Sequence, residues 1–424
     1  MNIRNHPASA LASCILLLTV SAVRADVVTE WNEIMVQTAL VATPDPVVRA
    51  RTAAIAQVAV FEAVNSIVGD YEPYDHALAA PQGASAEAAA IAAAHRVLST
   101  LHPQATSQLD AAREQSLAII PDGTAKTAGI AVGIMAADSI IALRADDGVD
   151  DPVSHTPGTL PGEYRPTPPD LTPAFRPGFG QVATFVTRSG RQFRSADPPE
   201  LRSKQYAVAF EEVKRVGEAD STQRPADRTQ IARFYGIADV DTIYYPAARQ
   251  IIGTRSRTVS QNARLFALLS MAIWDSAIAC LETKYHFKLW RPVTAIREAQ
   301  TDRNRRTEPD TEWAPLVFTP PFPSYPSAHA SLGGAARAVL EEEFGRAGHV
   351  ITLTHPALSD IILHYTTFKQ ITDDIDDARI YGGVHFRFDQ QAGARQGRRV
   401  GEYVLRHALR PACAHRDRRH DAKR

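Results

Sequence analysis

Three short stretches in the C-terminal half hold the residue types best suited to chemistry. The first is Lys284-Tyr-His-Phe-Lys-Leu-Trp-Arg291-Pro292. The second is Pro326-Ser327-Ala328-His329, approached through Thr319-Pro-Pro-Phe-Pro-Ser-Tyr. The third is Arg379-Ile-Tyr-Gly-Gly-Val-His385-Phe-Arg-Phe-Asp389. Arginine offers a planar fork of donors that matches a tetrahedral oxyanion and stays charged. Two arginines and one lysine can neutralise up to three negative charges. Ser327 adds a hydroxyl. The Ala328 N–H, at the start of a predicted 327–344 helix, adds a backbone donor where the helix dipole favours an anion. His385 and His329 then divide between bonding the central atom and moving protons. Taken singly, each residue has an ordinary explanation: Lys284 a surface lysine, Arg291 a helix start before Pro292, Ser327 a helix cap, Asp389 a cap of the helix that follows. The joint order and spacing argue for a site.

The elements that must position these residues are helical. Apolar periodicity predicts helices at about 47–68, 84–101, 105–119 and 124–143, rich in small residues that permit close helix approach, so the first third reads as a helical bundle. Helices resume at 201–217, 225–237 and 258–285, the last carrying Lys284 near its end, and again at 291–299, 327–344, 356–368, 371–383 and 390–409. Gly345 suits a helix end. Between these groups, residues 146–200 hold ten of the 28 prolines. That is long for a connection, but Tyr164, Phe175, Phe179, Phe185 and Phe193 supply apolar anchors that a disordered linker lacks. We expect an ordered wrapping segment. The expected organisation is a leader over 1–25, a helical bundle over 26–145, the wrapping segment over 146–200, a helical domain with the oxyanion pocket over 201–410, and a disordered basic tail over 411–424. The fold class is all-α.

Hydrophobic residues make up 45% and charged residues 22% of the 424, with a formal net charge of −1. These values are those of a soluble globular protein and suggest neither nucleic acid nor an anionic membrane as a partner. Residues 1–25 read as a secretory signal: Arg4, an apolar core from Ala10 to Val23, and a cleavage site at Val23-Arg24-Ala25. A secreted or periplasmic chain without stable membrane insertion is expected. After cleavage it keeps Cys280, expected in the core, and Cys413 in the tail, too few for a disulfide framework.

The three stretches resemble the vanadium-dependent haloperoxidases, which share a helical fold and an oxyanion pocket with the type 2 phosphatidic acid phosphatase and bacterial acid phosphatase superfamily. That pattern is Lys-x6-Arg-Pro, then Pro-Ser-Gly-His, then Ser-Arg-x5-His-x3-Asp. The chain matches each internal spacing, with Ala328 in place of Gly and Ala378 in place of Ser. Its flanks, including Phe322 near the pocket, are similar to the chloride-oxidising branch. The resemblance implies that His385 bonds vanadium, or attacks phosphorus in a phosphatase. Lys284, Arg291, Ser327, the Ala328 N–H and Arg379 would bind the oxyanion. His329 would take a proton from hydrogen peroxide, and Lys284 would polarise the peroxide towards halide. The implied cofactor is vanadate, with phosphate able to occupy the same site. The alternative is an acid or lipid phosphatase acting on a phosphate ester through a phosphohistidine. A pocket that binds without turnover explains the two histidines poorly.

Further residues are expected around the pocket. Asp275, in an apolar helix, is expected to pair with a pocket arginine or with another basic residue. Asp389, four residues past His385, is expected to accept from its ring or to fix the local turn. His286 and Lys288 are expected at the surface or just behind the pocket, and His364 in the core.

Overall fold

The computed structural model describes residues 26–412. The expected leader, Cys413 and the rest of the expected tail lie outside the described residues. The fold is all-α with one small hairpin. The first group of helices is α1 (Val27–Ala42), α2 (Pro46–Val68), α3 (Ala86–Leu101), α4 (Thr106–Ala118) and α5 (Thr124–Leu143). After the proline-rich segment come α6 (Lys204–Gly217), α7 (Ala226–Ile237), α8 (Val240–Ile252), α9 (Val259–Phe287) and α10 (Pro292–Arg297). The remainder is α11 (Ala328–Phe344), the strands β1 (Ile351–His355) and β2 (Leu358–Tyr365), α12 (Phe368–Tyr381) and α13 (Arg387–His407).

Local chemistry sets the helix ends. The Asp26 and Asp45 carboxylates accept first-turn N–H groups of α1 and α2, and Pro46 opens α2 where a missing N–H costs nothing. Thr258 with Gln261 and Thr367 with Gln370 form reciprocal caps that start α9 and α12. Gly69 closes α2 in the left-handed conformation. The 29-residue α9 is buried nearly all round and is the central shaft. It packs against α2 on one side and α11 and α13 on the other. One apolar core therefore runs from Phe61 and Val97 through Leu268 and Trp274 to Val339 and Val400. A second, aromatic-rich cluster of Tyr206, Trp290, Trp313, Phe386 and Phe388 lies beneath α6 and α10. α5 is largely apolar but only about one third buried, and leaves Ile134, Met135 and Leu143 exposed.

Residues 146–200 form an ordered wrap with little regular structure. Tyr164, Phe179, Phe185 and Phe193 are buried. Asp275 holds this wrap rather than a cation: its carboxylate accepts from the N–H groups of Phe185 (2.6 Å), Val186 (2.9 Å) and Thr187 (2.7 Å). The expectation of a basic partner fails because three converging backbone donors satisfy the buried charge as an arginine would.

Two further expectations are corrected. The predicted helix at 356–368 is β2, paired antiparallel with β1 so that Ile351 faces Tyr365 and Thr352 faces His364. Leu358, Ile361 and Ile362 fit a helical repeat as well as a strand, and the β-branched residues of both segments favour the hairpin. Ile351, Leu353, Ile361 and Tyr365 take its inner face. His364 is consequently exposed on the outer face beside Thr352, not in the core. The helices α1 and α8 were not anticipated.

The contact that matters most to the site is α11 against α13. Gly393, Gly397 and Gly401 recur every four residues on the face of α13 that meets α11. A Cβ there would lie 2.5 Å from the Ser327 carbonyl oxygen, 1.7 Å from that of Ser331 and 2.7 Å from that of Ala335. Bare backbone is what lets the helices touch. Between these glycines, Gln396 donates to the carbonyls of Phe193 and Ala279 and to the Thr283 hydroxyl, which ties the wrap and α9 into the same joint. Replacing Gly397 by Ala should force the two helices apart at a cost of about 3 kcal/mol, the upper part of the overpacking range. Urea unfolding measures that loss, and affinity for a pocket anion should fall in parallel.

Candidate active site

Each of the three stretches reaches the site by a different local device. Lys284 lies in the last turn of α9, which stops when Lys288 adopts the left-handed conformation (φ 51°). Three residues later Arg291 is the extended residue before α10, with Pro292 in the first helical position. Ser327 caps α11, its Oγ accepting from the Ala330 N–H at 3.4 Å. The Ala328 N–H belongs to the first turn, where no acceptor within the helix exists. Arg379 comes from the last turn of α12. The chain then turns through Gly383, which has φ +81° and backbone of Gly217 and Pro315 within 2.9 Å of where a Cβ would be, so only glycine fits. His385 follows in the extended link to α13.

Lys284, Arg291, Ser327, Arg379, His385 and Asp389 are at most 2% exposed. The cations are held by backbone carbonyls. Lys284 Nζ donates to Pro323 O (2.8 Å) and Ser324 O (2.9 Å). Arg291 Nε donates to Phe322 O (2.7 Å), and its Nη1 to Val384 O (2.8 Å) and His385 Nε2 (3.2 Å). Arg379 Nη1 donates to Tyr235 O (2.7 Å). Among the described residues none of the three has a carboxylate within ion-pair distance. Arg291 Nη2 and Arg379 Nε have no hydrogen-bond partner among the described residues. The Phe322 ring, half-buried, lies 4.8 Å from Lys284 Nζ and 4.9 Å from the Arg291 guanidinium.

Burial without a counter-charge sets the proton affinities. It pushes the Lys284 ammonium down to about 7, with the Arg291 charge adding to the effect. It lowers Arg291 and Arg379 to about 10. Both His385 and His329 lie well below the ordinary histidine range, first from burial and then from the neighbouring cations. His385 Nδ1 is 2.8 Å from Asp389 Oδ2. A neutral ring that donates from Nδ1 to this carboxylate leaves the Nε2 lone pair towards the pocket, where Arg291 meets it. Asp389 does both things expected of it, since the same oxygen accepts from the Phe386 N–H at 3.1 Å and fixes the start of α13. Burial raises its carboxyl to about 6, opposed by the Ser324 hydrogen bond.

The structure brings together Lys284, Arg291, Ser327, Ala328, Arg379, His385, Asp389 and Phe322. Asp275 stands apart, on α9 where it holds the wrap. His286 and Lys288 are exposed, and Cys280 is buried with its thiol 3.7 Å from Pro326 O. His329 is half-buried. It closes one end of a cavity of about 280 Å³ between α11, α12 and α13, which Arg337, Asp373, Asp376 and Arg395 also line. Ser324 was not anticipated: its hydroxyl donates to Asp389 Oδ2 at 2.6 Å and lies 3.4 Å from His385 Nδ1. No spacing rule marks it, because it reaches Asp389 only through the fold.

A tetrahedral oxyanion fits this arrangement: three buried cations, a capping hydroxyl, a helix N-terminus and two unpartnered guanidinium nitrogens call for one multivalent acceptor. Comparison with known proteins points to one group of relatives. Residues 264–412 match the family model described as the VCPO second helical-bundle domain. The vanadium chloroperoxidase of Curvularia inaequalis is 28% identical over 348 residues, covering 66% of this chain and 56% of that protein. The chain therefore spans little more than half the length of that relative. In structure it is similar to the first bacterial vanadium-dependent iodoperoxidase, at TM-score 0.75, 24% identity and coverage of 90% and 97% of the two chains. A holo-type bacterial vanadium-dependent chloroperoxidase superposes at TM-score 0.69, 19% identity and coverage of 86% and 94%. The matched domain contains all the cage residues, and over that stretch the chain is similar to the vanadium haloperoxidases.

The depressed Lys284 amine has a measurable consequence. Between about pH 7 and the ordinary lysine value of about 10.4, the unfolded chain binds a proton that the anion-free folded chain does not. Stability should therefore rise with pH across that window. Urea midpoints at pH 7 and pH 9 should show the rise in wild type, and Lys284→Met should lose it. Saturating inorganic phosphate should stabilise the charged amine and flatten the slope.

Proposed function

We propose that the chain is a vanadate-dependent haloperoxidase, which uses hydrogen peroxide to oxidise halide to hypohalous acid. The observation that carries this reading is the set of three buried cations with no carboxylate partner among the described residues, facing a neutral histidine whose Nε2 lone pair is turned to the pocket and met there by Arg291. His385 Nε2 would hold the metal. Lys284, Arg291, Arg379, the Ser327 hydroxyl and the Ala328 N–H would hold its oxygens. Bound vanadate supplies Lewis acidity towards peroxide at a constant oxidation level. Around it each residue has one task. Asp389 and Ser324 keep the His385 proton on Nδ1. Lys284 spends two of its three hydrogens on the Pro323 and Ser324 carbonyls and keeps one for the ligand. His329, neutral because burial and Arg379 disfavour its charged form, accepts the proton that peroxide gives up. The half-buried Phe322 screens the cations from water on the side a halide would approach. The sequence of 1–25 supports export as part of this reading, and protein recovered outside the cytoplasm should begin at or near Asp26.

The same neutral Nε2 could attack phosphorus, so the phosphatase reading predicts a different outcome from one preparation. Purified chain freed of anions should oxidise iodide, bromide or chloride with peroxide only after orthovanadate is added, and should hydrolyse a generic phosphate ester poorly. Phosphate-ester turnover without any halide oxidation would replace the first reading by the second. His385→Ala should abolish either activity. His329→Ala should still bind orthovanadate, since no cage contact depends on that ring, yet lose roughly 10²–10⁴ in turnover.

A further inference from the structure

The wrapping segment pairs with the chain that leads into the cage and buries there a side chain that the motifs do not include. Residues 162–164 run antiparallel to 288–290. The Tyr164 N–H donates to Lys288 O at 2.7 Å, the Trp290 N–H donates to Gly162 O at 2.9 Å, and Glu163 bridges to Leu289. The paired stretch 288–290 is the link between Lys284 and Arg291, so this pairing holds Tyr164 against the chain that leads into the cage. The Tyr164 side chain is fully buried, with its ring 5.8 Å from that of His155. Its hydroxyl has no hydrogen-bond partner among the described residues, and neither has the buried Nη2 of Arg291. The two groups are close enough to interact electrostatically.

A buried phenol normally finds a partner. Arginine has only donors, and burial keeps this phenol protonated. Two unmet donors at the edge of a cationic cage are both met by an oxygen with spare lone pairs and negative charge. A cation there would meet Arg291, and an apolar ligand would leave both groups unmet. We propose that Tyr164 is a further anion-binding residue, its hydroxyl donating to the same tetrahedral oxyanion that Arg291 Nη2 holds. The wrap would then complete the cage as well as cover it. This proposal rests on the oxyanion reading of the pocket but not on turnover.

Tyr164→Phe keeps the ring and removes the oxygen. Orthovanadate and inorganic phosphate would each be titrated calorimetrically into the anion-free full chain, wild type and variant. Affinity should fall roughly 10- to 100-fold, the size expected for one hydrogen bond to a charged acceptor. The anion-free melting temperature should stay level or rise, because an unmet buried hydroxyl is gone. A larger fall for one of the two anions identifies the one whose oxygen the phenol meets. Wild-type affinity for both anions would overturn the proposal. So would a loss of affinity matched by a lower anion-free melting temperature, which marks a structural role. If wild type binds neither anion, the oxyanion reading falls and this proposal with it. If wild type binds orthovanadate but oxidises no halide, the functional reading alone falls and the titration still decides the role of Tyr164.

Discussion

Everything near the site follows from burying three cations without a carboxylate to pair them. Desolvating a charge is costly, and a pocket of like charges adds repulsion. The chain meets that cost with backbone. The carbonyls of Phe322, Pro323, Ser324, Val384 and Tyr235 are all aimed at the cations. Carbonyl dipoles steady a cation without neutralising it, so the net positive field is left for a ligand. A carboxylate in the same place would make the empty protein more stable and the pocket useless. The lowered proton affinities of Lys284 and of both histidines express the same unpaid field.

Such a field is useful only if its sources cannot drift. Lys284 and Arg291 ride on the ends of α9 and α10, Ser327 opens α11, and Arg379 closes α12. The remaining member, His385, depends on α13, and α13 is set against α11 through glycine backbone. The Ser327 N–H donates to the Asp389 carbonyl at 3.0 Å, so the capping serine and the histidine's partner are joined directly. Ser324 and Asp389 then orient the imidazole. Each cage residue is thus located by an element terminus and a main-chain contact, with side-chain packing filling in behind.

Much of this was legible in the amino-acid order. The cage residues stand at fixed separations within three stretches, and helical periodicity located most of the helices that carry them. The aromatic anchors of the wrap were visible as aromatics among prolines. What escaped had physical causes. Asp275 looked like a partner for arginine because a buried carboxylate needs donors, and sequence does not reveal that three loop N–H groups supply them. The hairpin at 351–365 was hidden because Leu358, Ile361 and Ile362 satisfy two periodicities. Ser324 acts through a contact across more than sixty residues of chain, beyond any local rule. The glycines at 393, 397 and 401 were a readable signal that helix periodicity alone passes over.

The contrast between those glycines and the wrap bears on how such a protein can diverge. A joint made of backbone accepts almost no substitution, so the floor of the pocket and the spacing of its donors are closed to gradual change. The wrap is different. It meets the site through loops whose length and side chains cost little to alter, and it brings Phe175 against Phe322, with ring centres 6.2 Å apart. Lineages sharing this floor can therefore explore different mouths. The joint that sets the donors resists substitution, while the side chains around the mouth tolerate it.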